Sequence, residues 1–557
     1  MTIIVKAKGE SVESKMTIFQ QIGLGVAMLF YLCAIVWVFF LSPSSTTFAP
    51  GVKVLTLGHW QLEDGFREGM AEAITRFEEL KRQQGQEVRI NQTPIPWRGY
   101  TQWMLTQLVG GRPADIIEVT GDPNLRYLYF RPLSPYLGKP NPFNAGTPLE
   151  GIAWKDTYID GMLGTFDATY AEWYRVPLAF LPIRLHVNLD LVKEATGSEA
   201  MPTDLQEWME ICQKVKEHGE RIQKPIGAIG VRGTDKGTLA RLYIQYYSET
   251  NGNLIDEKSR FCDGTVSSAD ILQGLLAGTV EVDQQTAAAE ITTELGQYFI
   301  TGFPSMDLEQ AKYLFTRGMI AFLPEGTWES LSLVQNAAKA GYRVGIVRVP
   351  PIGTRGKYAK YWTGKTTESG IQTGVSFGIP KACKEFDLAL EFIQFMSSYE
   401  IDQMMMEKCR WGPGVKFAKY TGLQAALKPD VEGNPAFGET PFSVGVGTGS
   451  YGAMLKSLES LIQNNPADPG KVFLEEFRGR KKIAISDQME MITGGERANV
   501  GREMQRSQLS IGLLRKDASS QERERLELRR RLATESLPEM AGGYFMGRLL
   551  LESLQKL

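Results

Sequence analysis

Ile22 to Leu41 is a run of twenty residues without one charged side chain, and about five hundred residues of mixed polar and apolar sequence follow it. At about 1.5 Å per helical residue, such a run spans about 30 Å, the thickness of a bilayer's hydrocarbon core. The sequence therefore predicts a cytoplasmic tail at 1–17, a transmembrane anchor at 18–42 and a linker at 43–51. Lys6, Lys8 and Lys15 precede the run, and only Lys53 lies close behind it. The positive-inside rule then keeps the N-terminus in the cytoplasm and sends the bulk outside. A cleaved signal has a shorter apolar core and ends at a small-x-small site. This run ends on Trp37, Phe39 and Phe40 and leads into Ser42-Pro-Ser-Ser45, which favours an uncleaved anchor. Cys33 lies inside the run behind Tyr31 and Leu32, so no lipid-bearing cysteine is expected.

The exported part is long enough for two or three domains with sizeable cores. A net charge of −3 implies neither nucleic acid nor another polyanion as partner. Four cysteines follow the anchor: Cys212, Cys262, Cys383 and Cys409. An oxidising compartment permits disulfides, yet Cys212 falls on the apolar stripe of a predicted helix, where a buried free thiol is the ordinary outcome.

Val52–Leu57 reads as a buried strand ended by Gly58, and residues 65–83 as a helix with Phe66, Met70, Ile74 and Phe77 on one face. Val88–Ile90 is a second strand, Tyr100–Val109 a helix stopped by Gly110-Gly111, and Ala114–Val119 a third strand. This alternation is the βαβ rhythm of a parallel sheet flanked by helices. Thr203-Asp-Leu-Gln206 has the form of a capping box, and behind it Leu205, Trp208, Met209, Cys212 and Val215 share a helical face. Ala389, Phe392, Ile393 and Met396 form another such stripe, and Ser397–Glu400 looks like the cap of the next helix. Both stripes are expected to be core. Gln521–Arg531 is dense in Glu and Arg at i,i+4 spacing, as in a solvated helix or a docking surface within a helical C-terminal extension, 491–557.

Enzyme motifs fail on inspection. Gly374-Val-Ser-Phe-Gly378 has the form of a nucleophile elbow, but no histidine follows His218, and Gly378-Ile-Pro380 stands where a helix should begin. Gly364-Lys365-Thr366 imitates the end of a P-loop, yet Ala359 holds the place of the first glycine. No zinc-binding spacing is present, and no metal or cofactor is expected. Glu63 and Asp64 leave only a weak case for a carbohydrate-active enzyme, since adjacency does not set two carboxylates across a bond.

Five ordered segments resemble the extracellular solute-binding proteins of family 1, the carbohydrate type that includes maltose-binding protein. They are the first strand with Trp60 behind it; Tyr100 to Asp115 with Gly110-Gly111 before Pro113; Tyr174-Arg-Val-Pro177 followed by His186-Val-Asn188-Leu-Asp190; Phe315 to Trp328; and Trp411-Gly-Pro413. The fourth is the most specific, similar to F-x-x-G-x-x-A-M-x-x-x-G-x-W with Phe322 in place of Met. His186-Val187 departs from the tyrosine usual before Asn.

The resemblance implies an α/β chain of the periplasmic-binding-protein type II fold. Two lobes would flank a ligand cleft, lobe one from 52–165 and 373–425, lobe two from 166–372 and 426–490. Ligands of such sheets sit beyond the carboxyl ends of the strands. Trp60, Thr120 and Asp122 are then expected on one wall with Trp411 nearby. Tyr174, Thr327 and Trp328 would line the other, with Trp362 at the rim in a Gly/Thr-rich loop. Ten tryptophans and twenty tyrosines suit a sugar site, because flat rings cover the apolar face of a sugar and planar polar groups bond its hydroxyls.

The function implied is capture of a carbohydrate, of oligosaccharide size, for an ATP-binding-cassette permease with a separate ATPase. The receptor would sit outside a bacterial cytoplasmic membrane. The alternatives are a ligand-sensing module of a signalling complex, or a binder of a glycerol-phosphate-type ligand, which would need clustered cations; Arg175 and Lys365 are the only hints of those.

Overall fold

A computed structural model describes residues 51–63, 65–120, 123–167, 172–234, 237–254, 268–368, 373–434, 440, 442, 448–494, 548 and 550–556. The expected anchor and the charged stretch 521–531 lie outside these residues, as do Asp64, Asp122 and Cys262. Among the described residues, no helix is long and apolar enough to cross a membrane.

The described residues from 54 onward form one compact unit. Its strands are β1 (Lys53–His59), β2 (Val88–Pro94), β3 (Ile116–Glu118), β4 (Phe166–Asp167), β5 (Glu172–Trp173), β6 (Val176–Phe180), β7 (Ile183–Asn188), β8 (Gly227–Ile229), β9 (Ile320–Gly326), β10 (Val344–Arg348), β11 (Thr373–Gly378) and β12 (Gly412–Pro413). They build a six-stranded sheet, β12-β6-β11-β3-β1-β2, a four-stranded sheet, β10-β7-β9-β8, and the small pair β4-β5. β1 and β3 are parallel, whereas β11 runs antiparallel to both β3 and β6. The first sheet is therefore mixed, because β11 and β6 belong to chain segments that connect the two sheets.

Strand pairing sets the first crossing later than the expected 165/166. β6 pairs with β11 from Thr373↔Phe180 to Phe377↔Val176, so the chain leaves the first sheet only at Leu181-Pro182. The reason is legible in Val176–Phe180, five consecutive buried residues that fit a strand covered on both faces. Gly374–Gly378 is likewise part of a strand and offers no elbow.

Each sheet has its own apolar core. Phe66, Met70 and Phe77 from the helix Phe66–Gln83 pack on the first sheet with Phe392, Ile393 and Met396 from the helix Phe386–Met396. Leu205, Trp208, Met209, Cys212 and Val215 pack on the second, on the helix Leu205–Arg221. The C-terminal helices Thr448–Asn464 and Pro469–Gly494 join that second core through Leu458, Phe473 and Phe477, and Leu550 and Leu554 return to it. Cys212, Cys383 and Cys409 are buried free thiols.

Two caps differ from expectation. The helix at 205 starts on Asp204, whose Oδ1 accepts the Glu207 N–H at 2.8 Å, while Thr203 bonds the Glu207 carboxylate. Asp is the better cap because its carboxylate also meets the helix N-terminal dipole. Ser398 occupies the cap of Tyr399–Cys409, but its hydroxyl donates to Phe395 O. The full capping box stands instead at Asp307 and Gln310.

One buried ion pair binds the crossing segments. Arg184, at the start of β7, forks onto Glu368 at 2.6 and 3.0 Å and donates to the carbonyls of Ala426 and Lys428. Glu368 in turn accepts the Asp430 N–H at 2.7 Å. Three strands of connecting chain thus share one guanidinium.

Candidate functional site

The segment beyond β1, Trp60-Gln-Leu-Glu63, forms the inner edge of the first sheet, at the carboxyl end of its parallel strands. A buried carboxylate holds it: Glu118 accepts from the Trp60 N–H at 3.2 Å and from Gln61 Nε2 at 2.5 Å. Burial raises the Glu118 carboxyl well above its ordinary value, with the Gln61 bond opposing. Tyr100 sends its hydroxyl to Glu118 O at 2.6 Å and meets Trp60 edge-on, ring centroids 4.8 Å apart. His59, fully buried, completes the support through Gln92 and the Gln61 N–H.

On the second sheet, β9 ends at Gly326 and runs straight into Thr327-Trp-Glu329. Trp328 is half-buried and packs against the core of the first sheet, so one indole touches both halves of the molecule. Arg241 lies over its ring at 5.8 Å, within the range of a cation–π contact. Behind it Arg232 and the buried Glu325 pair at 3.0 Å.

Between the two sheets lies a cavity of about 270 Å³ lined by Leu62, Glu63, Lys312, Trp328, Glu329 and Ser332. Burial raises the Glu63 carboxyl; Glu329 across the cavity adds to the rise and Lys312 opposes it. Burial alone would lower the Lys312 ammonium, yet its bonds to Glu329, at 2.8 Å, and to Glu309 carry it above its usual value. The cavity thus offers an indole, an aliphatic side chain, a hydroxyl, two carboxylates and a neutralised ammonium. Such a set bonds hydroxyl groups and covers an apolar face; it does not concentrate positive charge. Arg232 is matched by Glu325 and Lys312 by Glu329, Lys365 is bonded to Asp430 at 2.8 Å, and Arg175, half-buried, donates to Val119 O at 3.3 Å.

Of the residues expected at a site, Trp60 and Thr120 are half-buried just beyond the first-sheet strands β1 and β3, and Trp328, at the end of β9 in the second sheet, is half-buried and lines the cavity with Leu62 and Glu63. Tyr174 is in the first-sheet cluster with Trp60 and Tyr100, only 2% exposed, so it stands on the opposite wall from the one expected. Thr327 is fully buried, its N–H bonded to Pro182 O. Trp411 has no exposed surface and stacks on Phe66 at 5.7 Å, which makes it core. Trp362 is half-buried against the second core. Sequence reading missed Leu62, Lys312, Glu329 and Ser332. Leu62 carried a signal, since it follows a parallel strand within three residues. Lys312 carried none, because only the tertiary fold turns its helix toward the cavity.

Among solved structures, the fold is similar to the GacH receptor of Streptomyces glaucescens, described unliganded and with acarbose (16% identity, TM-score 0.53, covering 78% of this chain and 98% of that one). It is also similar to RafE of Streptococcus pneumoniae (13%, 0.53, 79% and 100%) and to maltose-bound MalE3 of T. maritima (15%, 0.51, 77% and 99%). At these identities the likeness carries the fold, a mixed α/β architecture of the type II periplasmic binding kind. Residues 60–403 match the family described as bacterial extracellular solute-binding protein. That span is more than half of the 557 residues, and the chain accordingly belongs to this family, whose members bind a solute and do not transform it.

Proposed function

We propose that this protein captures a carbohydrate between its two sheets and hands it to an ATP-binding-cassette permease, while residues 18–42 hold it at the membrane. The observation that carries the carbohydrate reading is the cavity lining: Trp328 and Leu62 beside Glu63, Glu329, Ser332 and Lys312. A sugar ring has an apolar face and a rim of hydroxyls, and this lining offers a partner for each. Arg232, Lys312 and Lys365 are each paired with a carboxylate, which argues against a phosphorylated ligand. Similarity to proteins described with acarbose and with maltose supports the same class.

Capture follows from geometry. A ligand that touches both walls favours the state in which the walls are close, because only that state makes both sets of contacts. Micromolar affinity needs about 8 kcal/mol net, within reach of a stacked indole and several hydrogen bonds. The permease role follows the family resemblance, and an anchor would raise the local concentration of receptor beside its permease.

Thermal unfolding of the full chain against mono- and oligosaccharides tests the reading, since a ligand of the native state raises Tm by mass action. A rise with one carbohydrate series is expected. No rise with any carbohydrate, together with a rise for an anion or an amino acid, overturns the substrate class. Deleting residues 18–42 is expected to move the chain from the membrane pellet to the supernatant; a full chain already in the supernatant contradicts the anchor.

A further inference from the structure

Among the described residues, Trp97 is the one tryptophan that is mostly exposed, at 58%. It opens the helix Trp97–Val109, immediately beyond the carboxyl end of β2. Its neighbours hold it there. Pro94 and Pro96 flank Ile95, and a proline ring restricts its own φ and the residue before it. Ile95 N–H bonds His59 O at 2.8 Å, which ties the end of β2 to the end of β1, and Gly99 N–H bonds Pro96 O at 2.9 Å. The indole is thus carried on a short turn whose backbone has little conformational freedom left to lose.

Its position relative to Trp60 gives the ring a use. The two centroids are 5.1 Å apart, with planes inclined at 61°. An edge-on contact of this kind leaves much of an indole face uncovered. Trp60 begins the segment that reaches Leu62 and Glu63 at the cavity. Trp97 therefore extends the same edge of the first sheet outward, from the cavity to solvent. A large rigid ring adds contact area at low entropic cost.

We infer that Trp97 is an outer subsite, a platform for a glycosyl unit of a chain that projects from the cleft past Trp60. The protein then prefers oligosaccharides over mono- and disaccharides, and Trp97 is the residue that reads their length. This inference rests on the carbohydrate reading above. It adds a residue and a length preference to that reading.

Calorimetry on the full chain, with malto-, cello- and chito-oligosaccharides from mono- to hexasaccharide, tests it. For the series that binds, the intact protein is expected to gain affinity with length. Trp97→Ala is expected to bind the longer members roughly three- to tenfold more weakly, the range for one lost aromatic contact, and the shortest members unchanged. Trp97→Phe is expected to recover part of the loss. Because the side chain is mostly exposed, an unchanged Tm shows that the variant is folded. An equal effect at every length, no effect at any length, or an intact protein indifferent to length overturns the subsite. If none of the three series binds, the series that raises Tm in the thermal screen takes their place; if no carbohydrate raises Tm and an anion or an amino acid does, the carbohydrate reading fails first and the subsite falls with it.

Discussion

The Trp328 ring lies across the place where a β-carbon on Gly326 would stand, 2.1 Å from its Cη2. The absence of a side chain at Gly326 is what lets the indole fold back along the end of β9 and reach the first sheet. Gly326→Ala is expected to push the ring out of this position. Binding of the cognate carbohydrate should weaken about tenfold, the scale of one lost aromatic platform, with little change in Tm, since the displaced group is the far end of a side chain. Calorimetry beside a thermal melt checks both; intact affinity would show that the ring's resting place does not matter.

Trp411 and Trp328 should separate cleanly in their effects. Trp411→Ala removes a fully buried ring stacked on Phe66, and should destabilise the chain by about 3–5 kcal/mol, read from urea unfolding. Trp328→Ala should cost affinity with a much smaller loss of stability. A Trp411 variant of normal stability and lost binding would reverse the assignment.

Arg184 and Glu368 form a pair with side chains 2% and 12% exposed, set among the segments that connect the sheets. Removing one partner strands a buried charge. Arg184→Met is expected to cost about 3–5 kcal/mol in denaturant unfolding, and the double variant Arg184→Met, Glu368→Met should recover part of that loss. A single variant as stable as the parent would show that the pair is solvated in solution.

Asp402 should make stability fall with rising pH. Burial raises its carboxyl to about 8, opposed by the Gly414 N–H, which bonds one oxygen at 3.4 Å, and by the Val415 N–H. The unfolded chain releases this proton near pH 4, whereas the folded chain keeps it until about pH 8. The stabilisation is therefore complete below pH 4 and is lost as pH rises through that window. Asp402→Asn, which is neutral throughout, should flatten the slope between pH 5 and 8 and unfold at higher urea than the parent at pH 8. An unchanged slope would exclude Asp402 as its source.

His59 and His186 should stay neutral well below the usual imidazole range. Burial lowers both to about 4; for His186 the bond to Leu323 O opposes this, and its Nε2 lies 2.8 Å from Ser330 Oγ. Their stabilisation is present above pH 6.5 and is lost as pH falls toward 4. NMR titration should show neither ring protonating above pH 5. A transition near 6.5 for either would contradict its burial.

Local pattern reached far into this fold. The stripes at 205–215 and 389–396 are core because their spacing leaves one helical face apolar, and any compact arrangement must cover it. The strands beyond which Trp60 and Thr120 stand are readable from short β-rich runs, although β1 continues through Gly58 to His59 instead of stopping at the glycine. The cap at 204 was missed by one residue because two adjacent residues both suit the position.

Tryptophan marks the boundary between what the chain states and what the fold decides. Composition and motif order mark Trp60, Trp328, Trp362 and Trp411 as candidates, and nothing in the local pattern marks Trp97. Burial depends on which segments pack over a ring, and those segments are hundreds of residues away. Sequence alone determined the α/β alternation, the apolar faces and the family. Tertiary structure decided that Trp411 belongs to the core, that Trp328 spans the two sheets, and that Lys312 and Glu329 meet Glu63 across one cavity, because proximity between distant segments is not written in any local pattern.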